Sequence, residues 1–138
     1  MNKKYERYIN FIVSDIKPPY FKNMVEMYGL KDSEYELVLS KVYNQPVIVR
    51  NNDVYDSNGN ELYRENSNGS WYKYEYDANG DLTYFEDSDG DWKKYEYDAN
   101  GNDTYHEDSN GNWYRREYNE QGREVYYVDS YGDISDRR

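Results

Sequence analysis

Three kinds of sequence feature are missing from this chain, and each absence excludes a class of protein. There is no cysteine among the 138 residues, which excludes disulfide scaffolds and thiolate metal sites. No apolar run approaches the roughly 20 residues that span a bilayer. The residues after Met1 lead into an amphipathic segment and lack the apolar core of a signal peptide. We therefore predict a cytoplasmic protein with no membrane partner.

Aliphatic residues are scarce beyond residue 50, whereas the chain contains 20 tyrosines. A conventional two-layer aliphatic core is therefore not expected in that half. Its stability must come from aromatic rings that lie on a sheet and contact each other across strands.

Basic residues are scarce in the same half. Residues 1–50 hold eight Lys/Arg and six Asp/Glu, a net charge of +2, and residues 51–138 hold nine and 22, a net charge of −13. So acidic a segment repels nucleic acid and favours a basic protein partner. The alternative explanation is that the charge keeps a sheet with little core in solution.

Residues 1–46 predict a small head of three helices. The first helix has an apolar stripe at helical spacing and ends before Pro18-Pro19. The second runs from about Tyr20 to Tyr28, and a capping box of Ser33 and Glu36 is expected to start the third. A helix-turn-helix is the alternative, but the acidic third helix suits phosphates poorly. The stripe consists of Tyr5, Tyr8, Ile9, Ile12, Val13 and Ile16.

Glycines that recur at alternating intervals of ten and eleven residues mark a 21-residue repeat over residues 47–132, with 133–138 as a tail. The repeat predicts a single-layer antiparallel sheet of hairpins with about eight strands, so the fold class is α+β. Asp-Ala-Asn-Gly segments such as 77–80 predict three-residue loops with a glycine bulge. Segments such as Ser88-Asp89-Gly90-Asp91 predict two-residue type I′ loops. The positions that define the repeat are Gly59, Gly69, Gly80, Gly90, Gly101, Gly111, Gly122 and Gly132.

One loop of each length keeps every repeat facing the same way, because side chains alternate between faces along a strand. This register places Tyr74 opposite Tyr84, Tyr84 opposite Tyr95 and Tyr95 opposite Tyr105. One face is then expected to carry tyrosines, including the return-strand residues Tyr84, Tyr105 and Tyr126. The other face is expected to be mixed, and consists of Trp71, Lys73, Glu75, Phe85, Trp92, Lys94, Glu96, His106, Trp113, Arg115, Glu117 and Tyr127.

The units Tyr76-Asp77-Ala78-Asn79-Gly80 and Tyr97-Asp98-Ala99-Asn100-Gly101 resemble the tyrosine–aspartate repeat of the RHS/YD family. The resemblance covers residues 53–132 and implies the hairpin repeat. Long family members form a shell around a toxin, but about four units cannot enclose anything. Asp81-Leu82 and Asn102-Asp103 also stand where the family often has Arg-Leu. A short stand-alone module of phage type is the interpretation that fits this length.

Candidate chemistry is weak. The carboxylates of Asp87, Asp89 and Asp91 have the first spacings of a calcium loop, but the glycine is misplaced and a hairpin turn explains them. His106 is the one histidine, in a slot that Arg64 and Phe85 fill in other repeats. We therefore expect no enzyme activity, no cofactor and no metal.

The prediction is a non-enzymatic protein-binding inhibitor of the phage anti-defence kind, either anti-CRISPR or anti-restriction. Its acidic aromatic sheet would occupy the nucleic-acid groove of a basic nuclease or ribonucleoprotein effector, without binding nucleic acid itself. The alternative is a carbohydrate-binding or toxin-associated structural module, since a regular tryptophan ladder can stack sugars. The expected partner-binding residues are Trp71, Glu75, Asp87, Trp92, Glu96, Asp108, Trp113 and Glu117.

Overall fold

The computed structural model describes residues 2–138 and confirms the α+β class. Three helices precede an antiparallel sheet whose strand order is the chain order, with ten strands instead of about eight. The helices are α1 (Lys3–Asp15), α2 (Tyr20–Glu26) and α3 (Tyr35–Tyr43), with a 3-10 turn at Asp32–Glu34. The strands are β1 (Ile48–Arg50), β2 (Asp53–Tyr55), β3 (Glu61–Glu65), β4 (Trp71–Tyr76), β5 (Leu82–Asp87), β6 (Trp92–Tyr97), β7 (Asp103–Asp108), β8 (Trp113–Tyr118), β9 (Glu124–Asp129) and β10 (Ile134–Asp136).

The chain forms two compact units, residues 1–72 and residues 73–138. The first unit therefore contains the helices together with β1 to β3. It extends further along the chain than the predicted helical head of residues 1–46. In the second unit, the segment predicted as a tail contains β10, which pairs with β9.

The first unit holds the apolar core. Every buried apolar side chain among residues 2–138 lies between Ile9 and Tyr63. Ile12 of α1, Met24 of α2 and Val38 of α3 are fully buried there. Burial of an aliphatic side chain contributes about 1.5–3 kcal/mol, so this unit has the conventional hydrophobic core that the second unit lacks.

The predicted capping box of α3 is wrong. The residue that caps is Glu34, whose carboxylate accepts a hydrogen bond from the Lys31 N–H at 2.9 Å, at the start of the 3-10 turn. Glu36 instead accepts from the Val49 N–H at 3.4 Å. With the extra 3-10 turn, the helical segment begins at Asp32, one residue before Ser33.

The prediction of two loop types is also wrong. In the turn predicted to be type I′, the Asp87 N–H donates to the Asp91 carbonyl at 2.9 Å, and the Gly90 N–H donates to the Asp87 carbonyl at 3.1 Å. The same two bonds close the Asp-Ala-Asn-Gly turns. A type I′ turn needs positive φ at both central residues. Only Gly90 has it here, with φ 89°. Both loops are therefore three-residue loops with a glycine bulge.

The repeats also have a bulge within their strands, in addition to the glycine bulges of their loops. This bulge adds the one residue that keeps all repeats facing the same way. In the β6–β7 pair the register shifts between Glu96 and Tyr97, and β8–β9 repeats this shift 21 residues later. Because of this bulge, Tyr95 lies opposite His106 and not opposite Tyr105. All repeats of the second unit still face the same way, as predicted.

Directly paired residues project to the same side of the sheet. Because the bulge shifts the pairing by one residue, each residue of a return strand lies on the face opposite to the one predicted. Tyr95 pairs with His106 and His106 with Tyr114, and their ring centroids lie 4.9 and 5.2 Å apart. Phe85, His106 and Tyr127 therefore belong to the tyrosine face, which corrects the prediction. The opposite side of the second unit, here called the tryptophan face, carries Tyr84, Glu86, Trp92, Lys94, Glu96, Tyr105, Glu107, Trp113, Arg115, Glu117, Tyr126 and Val128.

Candidate functional site

The tryptophan face holds most of the predicted partner-binding residues of the second unit. Glu96 and Glu117 are exposed, and Trp92 and Trp113 are half-buried. The two tryptophans stand 21 residues apart on alternate strands, which places them about 9–10 Å apart. Glu75 of β4 is also exposed. The charge of Glu75 contributes to a raised pKa of Tyr84, so this glutamate lies close to the same face.

Trp71 has a different environment from the other two tryptophans. It belongs to the first unit, where its ring stacks on Tyr63 at 6.5 Å between centroids. Tyr63 is itself fully buried and contacts Phe21 of α2 at 6.1 Å. This packing gives Trp71 a structural role in the first unit.

Asp87 and Asp108 have turn-forming roles. Oδ1 of Asp87 accepts hydrogen bonds from the N–H groups of Asp89 and Asp91, at 2.9 and 3.1 Å. Asp108 does the same two strands later with Asn110 and Asn112. Backbone amides therefore engage one oxygen of Asp87, the first carboxylate of the calcium-like segment. Residues 2–138 contain no group of three or more His, Asp or Glu side chains placed to hold a metal ion.

Glutamate and tyrosine form cross-strand pairs on the tryptophan face. Glu96 lies directly opposite Tyr105, and Glu117 lies opposite Tyr126. The second of these pairs contacts a guanidinium group: the Arg138 side chain lies 4.0 Å from the Tyr126 ring centroid and forms a 3.0 Å ion pair with Glu117, while Asp136 accepts two further hydrogen bonds from the same guanidinium. A carboxylate beside an aromatic ring can thus bind an arginine by charge and by cation–π contact.

Cations of the chain itself also lie on this face. Nζ of Lys94 is 5.0 Å from the Trp92 ring centroid, and the Arg115 guanidinium is 6.0 Å from that of Tyr105. Lys94 stands opposite Glu107 in the β6–β7 ladder. A shallow depression of about 680 Å³ includes Tyr105, Arg115 and Glu117 in its lining. Acidic, aromatic and basic groups therefore alternate on this face. Such a face favours a partner whose charged side chains are separate and spaced along its surface.

A second pairing of tyrosine and glutamate runs along the strands. The Tyr84 hydroxyl donates to Oε1 of Glu86 at 2.8 Å. Burial and this hydrogen bond raise the pKa of Tyr84 to about 12, with smaller contributions from the charges of Glu86 and Glu75. Burial and the charges of Glu107 and Glu96 likewise raise the pKa of Tyr105. Both hydroxyls therefore remain protonated at neutral pH and can donate to the neighbouring carboxylates.

Glu65 is the residue that sequence reasoning missed. It is 6% exposed, and its two oxygens accept from the Phe21 N–H at 3.0 Å and the Lys22 N–H at 2.9 Å. The Tyr63 hydroxyl also donates to it. No local signal distinguishes it, because Glu65, Glu86 and Glu107 hold the same repeat position at 21-residue spacing.

No helix among residues 2–138 has the length and apolar character needed to cross a membrane. Comparison with known proteins found no family model that matches the chain and no similar sequence among curated proteins. The resemblance to the tyrosine–aspartate repeat thus stays a prediction from the quoted residues.

Proposed function

We propose that this chain is a non-enzymatic protein-binding inhibitor of the phage anti-defence kind, anti-CRISPR or anti-restriction. It would act in the cytoplasm on a basic nuclease or ribonucleoprotein effector, without a cofactor. Its tryptophan face would lie in the groove that otherwise binds nucleic acid. The net charge of −13 on residues 51–138 would attract a basic surface, repel nucleic acid and speed association.

The observation that carries this proposal is the binding of the Arg138 guanidinium by Glu117 and Tyr126. Glu96 and Tyr105 stand in the same cross-strand relation 21 residues earlier. An effector that binds the phosphate groups of nucleic acid presents arginines at intervals along its groove. Each glutamate–tyrosine pair would take one of these arginines, as a phosphate group does.

The exposed carboxylates of the face provide the test. The immobilised full chain would capture proteins from a bacterial lysate, with and without nuclease treatment, and retained proteins would be purified for binding measurements. We expect Glu96→Lys/Glu117→Lys to weaken binding by at least about tenfold, because like charges across an interface cost several kcal/mol. The matched control is Asp89→Lys/Glu120→Lys, which makes the same charge change at two exposed turn residues.

The dependence on salt separates the possible results. Phosphate mimicry predicts affinity that falls steeply with salt and a partner that nucleic acid displaces. Binding that is insensitive to salt, or equal losses in both variants, would contradict the mimicry. Retention of glycans that disappears in Trp92→Ala would instead support the carbohydrate-binding alternative.

A further inference from the structure

The first unit shows how one repeat of this sheet binds the N-terminal end of a helix. The Tyr20 N–H donates to the Tyr63 hydroxyl oxygen at 2.9 Å. The next two amides, of Phe21 and Lys22, donate to the two oxygens of Glu65. These are amides of the first turn of α2, which have no acceptor within the helix. The tyrosine and the glutamate therefore act together as an acceptor for three consecutive backbone N–H groups.

Aromatic rings complete this contact. The ring of Tyr20 lies 4.8 Å from that of Tyr63, and Phe21 lies 6.1 Å from it on centroid distances. The ring of Trp71 also stacks on that of Tyr63, with 6.5 Å between the centroids. The complete motif is a tyrosine, a glutamate two residues later and a tryptophan six residues after the glutamate.

The motif recurs twice in the second unit with identical spacing, as Tyr84–Glu86–Trp92 and Tyr105–Glu107–Trp113. In the first of these copies the tyrosine hydroxyl donates to the glutamate as it does in the first unit. Glu86 and Glu107 are partly exposed, whereas Glu65 is buried under α2. In the following repeat the glutamate position holds Val128, so the motif is broken there.

We propose that Tyr84–Glu86–Trp92 and Tyr105–Glu107–Trp113 each bind the N-terminal turn of a helix of the partner protein. The partner helix would begin with aromatic residues followed by a basic one, as α2 does with Tyr20, Phe21 and Lys22. The positive end of the helix dipole complements the carboxylate, and the aromatic residues pack on the tyrosine and tryptophan rings. This deepens the proposed function, because it states which element of the bound protein is recognised.

Both copies place the glutamate beside a tryptophan of the following strand: Glu86 stands opposite Trp92, and Glu107 stands opposite Trp113. Glu107 also stands opposite Lys94 of the preceding strand, and a bound helix would compete with this cation for the carboxylate.

The test uses the isotope-labelled full chain and, as probe, a peptide of residues 17–28 with blocked termini, followed by nuclear magnetic resonance. We expect saturable shifts of the Glu86 and Glu107 amides and of the Trp92 and Trp113 indole N–H groups, and none at Val128. Glu86→Gln/Glu107→Gln should weaken binding about tenfold, which corresponds to about 1.4 kcal/mol. Asp89→Asn/Glu120→Gln, with the same change in charge at two exposed turn residues, should bind the peptide as the parent does.

Absence of shifts at Glu86 and Trp92 at saturating peptide would overturn the proposal. Equal weakening in both double variants would also overturn it, because it would show general attraction to an acidic surface. The result is independent of any captured effector. Failure of the proposed inhibition appears instead as insensitivity of effector binding to Glu96→Lys/Glu117→Lys, with peptide binding intact.

Discussion

Single tyrosine hydroxyls join neighbouring strands of the second unit. The Tyr97 hydroxyl donates to the Leu82 carbonyl at 2.7 Å, and Tyr118 donates to the Asp103 carbonyl at 2.8 Å. Both tyrosines follow the bulge in their strand and precede the first residue of a turn. The tyrosine of the tyrosine–aspartate pair therefore has a structural reason to recur at every repeat.

Removal of this hydroxyl should weaken the sheet. We expect Tyr97→Phe and Tyr118→Phe each to lower the free energy of unfolding by about 1 kcal/mol, the net contribution of one hydrogen bond. Urea denaturation would measure it, and the control is Tyr131→Phe, whose residue is 77% exposed. Equal stability of all three variants would show that water satisfies the two carbonyls equally well.

At the scale of secondary-structure elements, α2 depends on a carboxylate that lies 44 residues away along the chain. Burial and the hydrogen bond to Glu65 raise the pKa of Tyr63, so this hydroxyl remains protonated at neutral pH. The same hydroxyl oxygen accepts from the Tyr20 N–H. Glu65, Tyr63 and the first turn of α2 thus form one buried polar network, in which each member satisfies another.

Loss of the Glu65 carboxylate should detach α2 from the sheet. We expect Glu65→Ala to cost about 3 kcal/mol or more, because it leaves one buried amide, one partly buried amide and a buried hydroxyl without their charged acceptor. Hydrogen exchange at Phe21 and Lys22 should accelerate accordingly. The matched control is Glu86→Ala, at the same repeat position in the second unit, which should cost far less. Similar losses in both variants would contradict the special role of Glu65.

Sequence reasoning found the elements that depend on local signals and missed those that depend on register. The glycine spacing predicted the hairpins, and the helical periodicity predicted the apolar stripe of α1, in which Ile9 and Ile12 are buried. The bulge at Glu96/Tyr97 has no glycine or proline to mark it, so the return strands were assigned to the wrong faces. Glu65 was missed because its role comes from a distant helix and its local sequence looks like that of Glu86.

At the scale of the whole molecule, stability comes from two sources of different kind. Residues up to Tyr63 hold the buried apolar side chains. The second unit relies on ring contacts such as Tyr114–Tyr127, at 6.1 Å, and on exposed ion pairs such as Arg138–Glu117, at 3.0 Å. Exposed ion pairs contribute little, about 0–1 kcal/mol each. We therefore expect mutual repulsion within the −13 charge of residues 51–138 to oppose folding more than the ion pairs support it.

Added salt should consequently stabilise the free protein, even though it weakens the proposed complex. The screening length falls from about 30 Å at 0.01 M to about 8 Å at 0.15 M salt, which reduces long-range repulsion before it affects close pairs. We expect the Tm to rise by several degrees over this range in sodium chloride, as followed by circular dichroism. Asp89→Asn/Glu120→Gln removes two exposed negative charges and should show a smaller rise. A Tm that falls with salt would mean that ion pairs such as Arg138–Glu117 outweigh the repulsion, and the acidic surface would then need no partner to offset its charge.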